Sequence, residues 1–211
     1  MASVVGAPRA AAPKGAARCG PDTGSLEIPA CTVVKEYDGF EVREYDTGLM
    51  WADAHFDSLS YREASFQGFE ACFGYISGAN DKNETIEMTG PVRMQPGKQA
   101  APGSAEKWTV SFFVPSKFAS RADVPVPLAN NMEIEAPART FKAVAGPFGG
   151  FPGERDYQRQ LSNLVKAVEA AGLKVASDAD VTYAGYSSPF TVIGRHQEVW
   201  IDVEAPPTAA A

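Results

Sequence analysis

The sequence is poor in the residues that metal sites and disulfide scaffolds need: two histidines, His55 and His196, and three cysteines, Cys19, Cys31 and Cys72. No cysteine pair has CxxC spacing and no His/Cys cluster has zinc-ligand spacing, which excludes a structural zinc site and argues against metal catalysis. Three cysteines cannot all pair with one another, so free thiols in a reducing compartment are expected. No apolar run approaches the ~20 residues that span a bilayer, which argues against an integral membrane protein. Positive charge is also in deficit. With 19 Lys and Arg against 26 Asp and Glu, the net charge of −7 disfavours nucleic-acid partners. A nucleophile elbow, a Walker loop and an HExxH helix are all missing, and the glycine-rich stretch Gly146 to Gly153 lacks the GxGxxG register. No enzymatic activity is expected.

What is present suits a soluble globular domain: 45% hydrophobic and 21% charged residues. Residues 1–29 are rich in Ala, Gly and Pro, with no acid before Asp22 and with Pro8, Pro13, Pro21 and Pro29 spread along them. Such a segment buries little and is expected to be a flexible tail. Its basic, acid-poor character also suits a transit peptide, so the expected location is cytoplasmic, or plastid if that peptide is cleaved. A second tail covers 205–211, which leaves one domain over 30–204.

That domain repeats itself. At an offset of 92, Phe40-Glu41-Val42 falls on Met132-Glu133-Ile134, Leu49 on Phe141 and Ala52 on Val144. Phe69, Cys72, Phe73 and Ile76 fall on Leu161, Leu164, Val165 and Val168, and Trp108 on Trp200. One offset that fits both strand-like and helix-like segments indicates duplication. In the first half, Asp38-Gly39 separates two alternating runs and predicts a hairpin with a type I′ turn. Ser60 and Glu63 are spaced as a capping box for a helix that ends before Gly78 and carries Phe66, Phe69, Cys72, Phe73 and Ile76 on its apolar face. Extended segments are expected over 86–94 and 107–114. The second half predicts strands at 132–136, 140–145, 181–186 and 197–203 and a helix from about Glu154 to Ala171. The fold class is therefore α+β, two β-α-β-β halves whose helices pack on a shared curved sheet, most economically a barrel without free edges.

Several motifs resemble the SOUL haem-binding family. They are Gly39-Phe40-Glu41-Val42-Arg43 with Tyr45, Tyr75-Ile76-Ser77-Gly78-Ala79-Asn80, Ile86-Glu87-Met88-Thr89-Gly90-Pro91-Val92 and Phe113-Val114-Pro115. Phe148-Gly149-Gly150, Ala184-Gly185-Tyr186-Ser187-Ser188-Pro189 and Arg195-His196-Gln197-Glu198-Val199-Trp200 continue the series in the family's order. The resemblance implies a distorted eight-stranded antiparallel barrel flanked by two helices. It also implies non-covalent binding of haem or a related tetrapyrrole, by a carrier or buffer without catalytic role. In the family the porphyrin is proposed to lie between the first helix, here Arg62 to Ile76, and the loop joining the last two strands, here Tyr186 to His196. A protein partner in haem metabolism, or an effector-sensing role for the same groove, is the alternative.

A porphyrin is a flat apolar disc with two carboxylates, so its site needs a broad hydrophobic wall and a few cationic or N–H anchors. Phe66, Phe69 and Phe73 could form one wall, although Phe69 and Phe73 also read as ordinary core positions. Phe66 falls on Gln158 in the repeat and so stands off the shared stripe. Phe190, Val192 and Ile193, with Tyr186, could form the other wall, and Arg62, Arg93 or Arg195 could meet a propionate. For iron, the resemblance points to a histidine position that is Glu44 here. His55, His196, Cys72, Met88 and Tyr186 remain as axial candidates. Binding by packing and propionate contacts, without an axial ligand, suits the chain better.

Overall fold

The computed structural model describes residues 19–58, 60–97, 106–187, 191 and 193–206. Nine strands and two helices follow in the order β1 (Thr32–Tyr37), β2 (Phe40–Tyr45), β3 (Trp51–Ser58), α1 (Tyr61–Ile76), β4 (Val92–Pro96), β5 (Glu106–Phe113), β6 (Met132–Glu135), β7 (Thr140–Phe148), α2 (Glu154–Ala170), β8 (Val181–Gly185) and β9 (Gln197–Val203). All pairs are antiparallel and form one sheet in the order β1-β2-β7-β9-β8-β4-β5-β3-β6.

Without β1 that order is a palindrome. β2, β7, β9 and β8 of one side mirror β6, β3, β5 and β4 of the other, so the duplication is built into the sheet and the halves meet where β4 pairs with β8. Each half's first strand is exchanged: β2 pairs with β7 and β6 with β3. Two expectations need correction. The sheet has nine strands, because β1 adds to the eight, and it stays open, with β1 and β6 as edges. The offset also drifts. Val42 pairs with Ala143 and Ile134 with Ala52, whose next partners are Ile201 and Phe112. Phe112 and Ile201 are therefore equivalent, three residues away from an offset of 92. An odd slip reverses which face a side chain takes. Trp108 accordingly lies in the core under the helices and Trp200 on the opposite face, so they are not counterparts.

Local signals explain most element ends. Tyr37 pairs with Phe40 across Asp38-Gly39, but only Gly39 takes positive φ (+82°), so the turn is not type I′. Ser60 caps α1 by accepting the Glu63 N–H at 3.2 Å. The reciprocal half of the box runs through Ser58, whose hydroxyl accepts from Ser60 N–H and donates to the Glu63 carboxylate. In α2, the Asp156 carboxylate accepts the Gly153 N–H at 3.0 Å. Gly78 and Gly172, both at positive φ, follow the two helices.

Helix α1 packs on β3 and β5, and α2 on β7 and β9. The face that α1 buries is Ala64, Gly68, Cys72, Tyr75 and Ile76, not the phenylalanine stripe. Gly68 is the reason. A Cβ there would stand 2.2 Å from Val110 Cγ2, so the helix can lie this close to β5 only because position 68 has no side chain. Gly68→Ala should therefore destabilise the domain by about 2 kcal/mol through overpacking, although alanine is the better helix former. Urea denaturation measures this, and a neutral or stabilising result would show that α1 can lift without loss.

The other face of the sheet carries a second cluster, with Tyr45, Leu49, Trp51, Phe113, Tyr186 and Trp200. Cys19 and Cys31 join it as a disulfide with a Cα–Cα distance of 5.7 Å. The expectation of free thiols thus holds for Cys72 alone, and the cysteine count carries no argument for a reducing compartment. Spacing could not reveal the pair, because a fold-dependent contact of the N-terminal segment brings the two together. Residues 19–29, expected within a tail, pack on the sheet: Glu27 bridges to Thr89, and Ile28 lies against the second cluster. Residues 1–18 and 207–211 lie outside the described residues.

Candidate functional site

Where the halves meet, the two helices do not close over β4 and β8. A cavity of about 410 Å³ opens there, walled by Tyr61 and Phe69 of α1, Tyr157 of α2, Met94 of β4 and Tyr183 of β8, with Arg195 at its side. A second cavity of about 480 Å³ lies along α1, between Phe69 and Phe73 and the segment Met88 to Gly90, with Leu26 and Tyr186 completing it. Both are lined by Phe69, Val92, Gly185 and Ser187, so they run together as one groove.

Stacked aromatic rings build the inner cavity. Tyr157 and Tyr183 stack at 4.5 Å, Tyr61 tilts against both, and Phe148 meets Tyr157 edge-on at 5.4 Å. The Tyr157 hydroxyl donates to Gln197 Oε1 at 3.0 Å. Burial pushes the Tyr61 and Tyr157 phenols up, with nearby Arg195 offsetting only part of this, and lifts Tyr183 to about 12. All three phenols are neutral at physiological pH and present flat, uncharged rings to the cavity. Arg195 donates from Nη1 to the Thr191 carbonyl at 2.9 Å, and its guanidinium sits over the Phe151 ring at 4.3 Å.

The residues expected at the site divide into three groups. Phe69, Phe73, Tyr186 and Arg195 line the groove. Arg62, Phe66, Ile193 and His196 line neither cavity. Arg62 is exposed, and Phe66 and Ile193 are 64% and 89% exposed. Phe190 and Val192 lie outside the described residues. Among the wider candidates, Arg93 cannot meet a propionate: it is buried on the other face, over the Trp51 ring at 3.5 Å and bonded to Ser111 and Asp53. His55 is on that face too, between Thr109 and Glu133. Cys72 is under α1 with its Sγ 3.4 Å from the Val110 carbonyl. Of the axial candidates only Met88 and Tyr186 border the groove. Sequence reasoning missed Tyr61, Tyr183 and Leu26. Tyr61 gave a signal, an aromatic one turn ahead of the apolar stripe, but Leu26 stood in a segment read as tail.

Behind the groove, Tyr186 and His196 join a buried ionic network. Glu198 accepts from both Arg43 terminal nitrogens at 2.9 Å, from Tyr186 Oη and Trp200 Nε1 at 2.8 Å, and pairs with His196 Nε2 at 3.0 Å. Burial alone would raise this carboxyl; the hydrogen bonds of His196, Arg43 and Trp200 outweigh it and hold Glu198 at about 2. Burial would likewise lower Arg43, but Tyr45 and Glu198 reverse the sign and it is raised. The network fixes His196 away from the groove and turns the Tyr186 oxygen inward, which leaves only its ring for the groove wall.

Comparison with known proteins agrees with this architecture. The family model described as SOUL heme-binding protein matches residues 26–202. Heme-binding protein 2 of Mus musculus is 31% identical, covering 86% of this chain and 88% of that protein. Heme-binding protein 2 of Homo sapiens is 30% identical, covering 89% and 95%. Among solved structures, the EcmrR C-terminal domain superposes with a TM-score of 0.56 at 10% identity, covering 77% of this chain and 95% of that one, a likeness of fold. The chain belongs to the SOUL heme-binding protein family.

Proposed function

We propose that this protein binds haem or a related tetrapyrrole non-covalently in the groove between α1 and the β8–β9 connection, as a carrier or buffer and without catalysis. The observation that carries this is the pair of confluent cavities, each within the 300–1,000 Å³ of small-molecule sites and walled by aromatic and aliphatic side chains. Phe69 stands where they merge, Phe73 stacks beside it at 5.8 Å, and Arg195 supplies a cation for one propionate. The second propionate would then face solvent. Among the described residues the groove lining holds no histidine or cysteine, and its sulfur donors are the thioethers of Met88 and Met94, which favours packing as the main source of affinity. Family membership and relatives named for haem binding support the same reading.

Titration with ferric haem and with metal-free protoporphyrin, followed by absorbance and Trp fluorescence, tests it. Saturable one-to-one binding of both, with dissociation constants within about tenfold of each other, is expected for a site without strong iron ligation. Saturation by haem alone, lost in His196→Ala, would establish an axial histidine instead. No saturation by either would remove the carrier reading.

A further inference from the structure

The disulfide-closed stretch from Cys19 to Cys31 stands apart from the ionic network and from the two helices that frame the groove. The family model's match begins at residue 26, so Cys19 and the first half of this stretch lie outside that match. The stretch nevertheless forms part of the groove. Leu26 lines the outer cavity, as Phe73 does. Gly20 lies directly on Tyr186, since a Cβ there would meet the Tyr186 hydroxyl at 3.2 Å. Two anchors then tie the stretch down, the Gly90 N–H donating to the Glu27 carbonyl at 2.8 Å and the Ser116 N–H donating to the Glu27 carboxylate at 2.9 Å.

Both anchors lie at residue 27. Ahead of it, residues 22–26 bond among themselves: Gly24 N–H to the Asp22 carboxylate, Thr23 hydroxyl to the Leu26 carbonyl and Leu26 N–H to the Thr23 carbonyl. The covalent tie is the Cys19–Cys31 bond, which closes a loop of sequence separation 12. A cross-link of this kind restricts the loop far more than a few surface contacts do. The third cysteine does not compete in exchange, because Cys72 is buried beneath α1 and its thiol is pushed up by burial.

We propose that Cys19–Cys31 is a thiol–disulfide exchange site for a dithiol reductant, and that its reduction frees the strap 19–27, its Glu27 anchors included, and loosens the outer wall of the tetrapyrrole groove. This rests on the groove being the binding site. A reductant thiolate attacks one sulfur of the disulfide, forming a mixed disulfide and releasing the other cysteine as thiolate. The reductant's second thiol then displaces the attached cysteine. The protein disulfide gains two electrons and two protons, and the reductant leaves as its own cyclic disulfide. Attack requires the strap to open locally, since both cystine halves are buried, and residues 22–26, whose hydrogen bonds run within the segment itself, form the part that can give way.

The test uses the full chain, metal-free protoporphyrin as probe (a dithiol leaves its oxidation state unchanged) and dithiothreitol as reductant. Alkylation with mass analysis should find Cys19 and Cys31 blocked before reduction and free after it. The reduced protein should bind protoporphyrin about tenfold more weakly, the scale of losing one well-packed apolar wall residue. Cys31→Ser should show the weaker value with or without dithiothreitol. Amide exchange of the unliganded protein should quicken at Gly90 and Ser116 on reduction while β3 and β5 keep their protection. Equal affinity in both redox states, or both thiols alkylated before reduction, would overturn the proposal. If neither form binds protoporphyrin, the groove reading fails. Exchange at Gly90 then decides the strap alone: faster supports redox release, unchanged rejects it.

Discussion

Glu198→Gln should lower the stability of the domain by about 3–5 kcal/mol at pH 7, the largest effect expected from a change of so few atoms. Glu198 is 2% exposed, and its carboxylate neutralises a guanidinium, Arg43, that is itself 4% exposed. Glutamine keeps the shape but leaves Arg43 opposite a neutral amide, with Glu41 as its remaining ion pair among the described residues, at 2.5 Å. The amide can also no longer accept from Arg43, Tyr186, Trp200 and His196 together. The pH dependence identifies the mechanism. The folded-state value of about 2 lies below the 4.5 of an unperturbed glutamate, so ionisation of Glu198 stabilises the fold fully above pH 4.5. That contribution, about 3 kcal/mol, fades as the pH falls through 4.5 towards 2. Wild type should therefore lose stability over this window faster than Glu198→Gln, and the two urea-midpoint curves should converge. Curves that stay parallel down to pH 3 would show that the carboxylate is not the ionised hub of the network.

Phe69→Asp should weaken binding of both haem and protoporphyrin by about 100-fold while the domain stays folded. Phe69 stacks on Phe73, meets Phe112 edge-on at 5.4 Å and borders both cavities, so no pose that uses the full groove avoids it. Aspartate removes the flat contact and sets a negative charge facing an anionic ligand. Stability should fall much less, because the helix seats itself through Ala64, Gly68 and Cys72 and Phe69 is only partly buried. Parallel titrations, with far-UV circular dichroism to check the fold, measure this. Undiminished affinity in a folded Phe69→Asp protein would place the ligand elsewhere. Phe66→Asp supplies the contrast: Phe66 points to solvent outside both cavities, and its replacement should leave affinity within about twofold.

The exposed position of Phe66 was partly legible. Its repeat partner is a glutamine, Gln158, and that mismatch correctly set it apart from the shared core stripe. Exposure, however, did not make it a wall of the groove. Periodicity identifies the side of a helix that is apolar, but the line of closest approach depends on what the helix meets. Here that line is set by Gly68 against Val110, a close approach that rotates the buried stripe toward Ala64 and Cys72 and leaves Phe69 and Phe73 along the groove. His196 shows the same limit. Its place beside Arg195 in the late connection suggested an axial role, yet Glu198, two residues on, takes its Nε2. No spacing rule reveals that the same carboxylate also holds Arg43, 155 residues away in sequence.

The sequence by itself determined the element order, the duplication, the cap of the first helix and the family, because each of these rests on local chemistry or on the period of apolar residues. Asp-Gly marks a hairpin, Ser60 and Glu63 start a helix, and a repeated pattern needs no knowledge of what lies across the sheet. Tertiary structure decided the rest. The exchange of β2 and β6 between halves, the open sheet, the three-residue drift that parts Trp108 from Trp200, the Cys19–Cys31 bond and the merging of two cavities at Phe69 are all contacts between distant segments. Each is settled by how two surfaces pack, and a packed surface is a property of the pair.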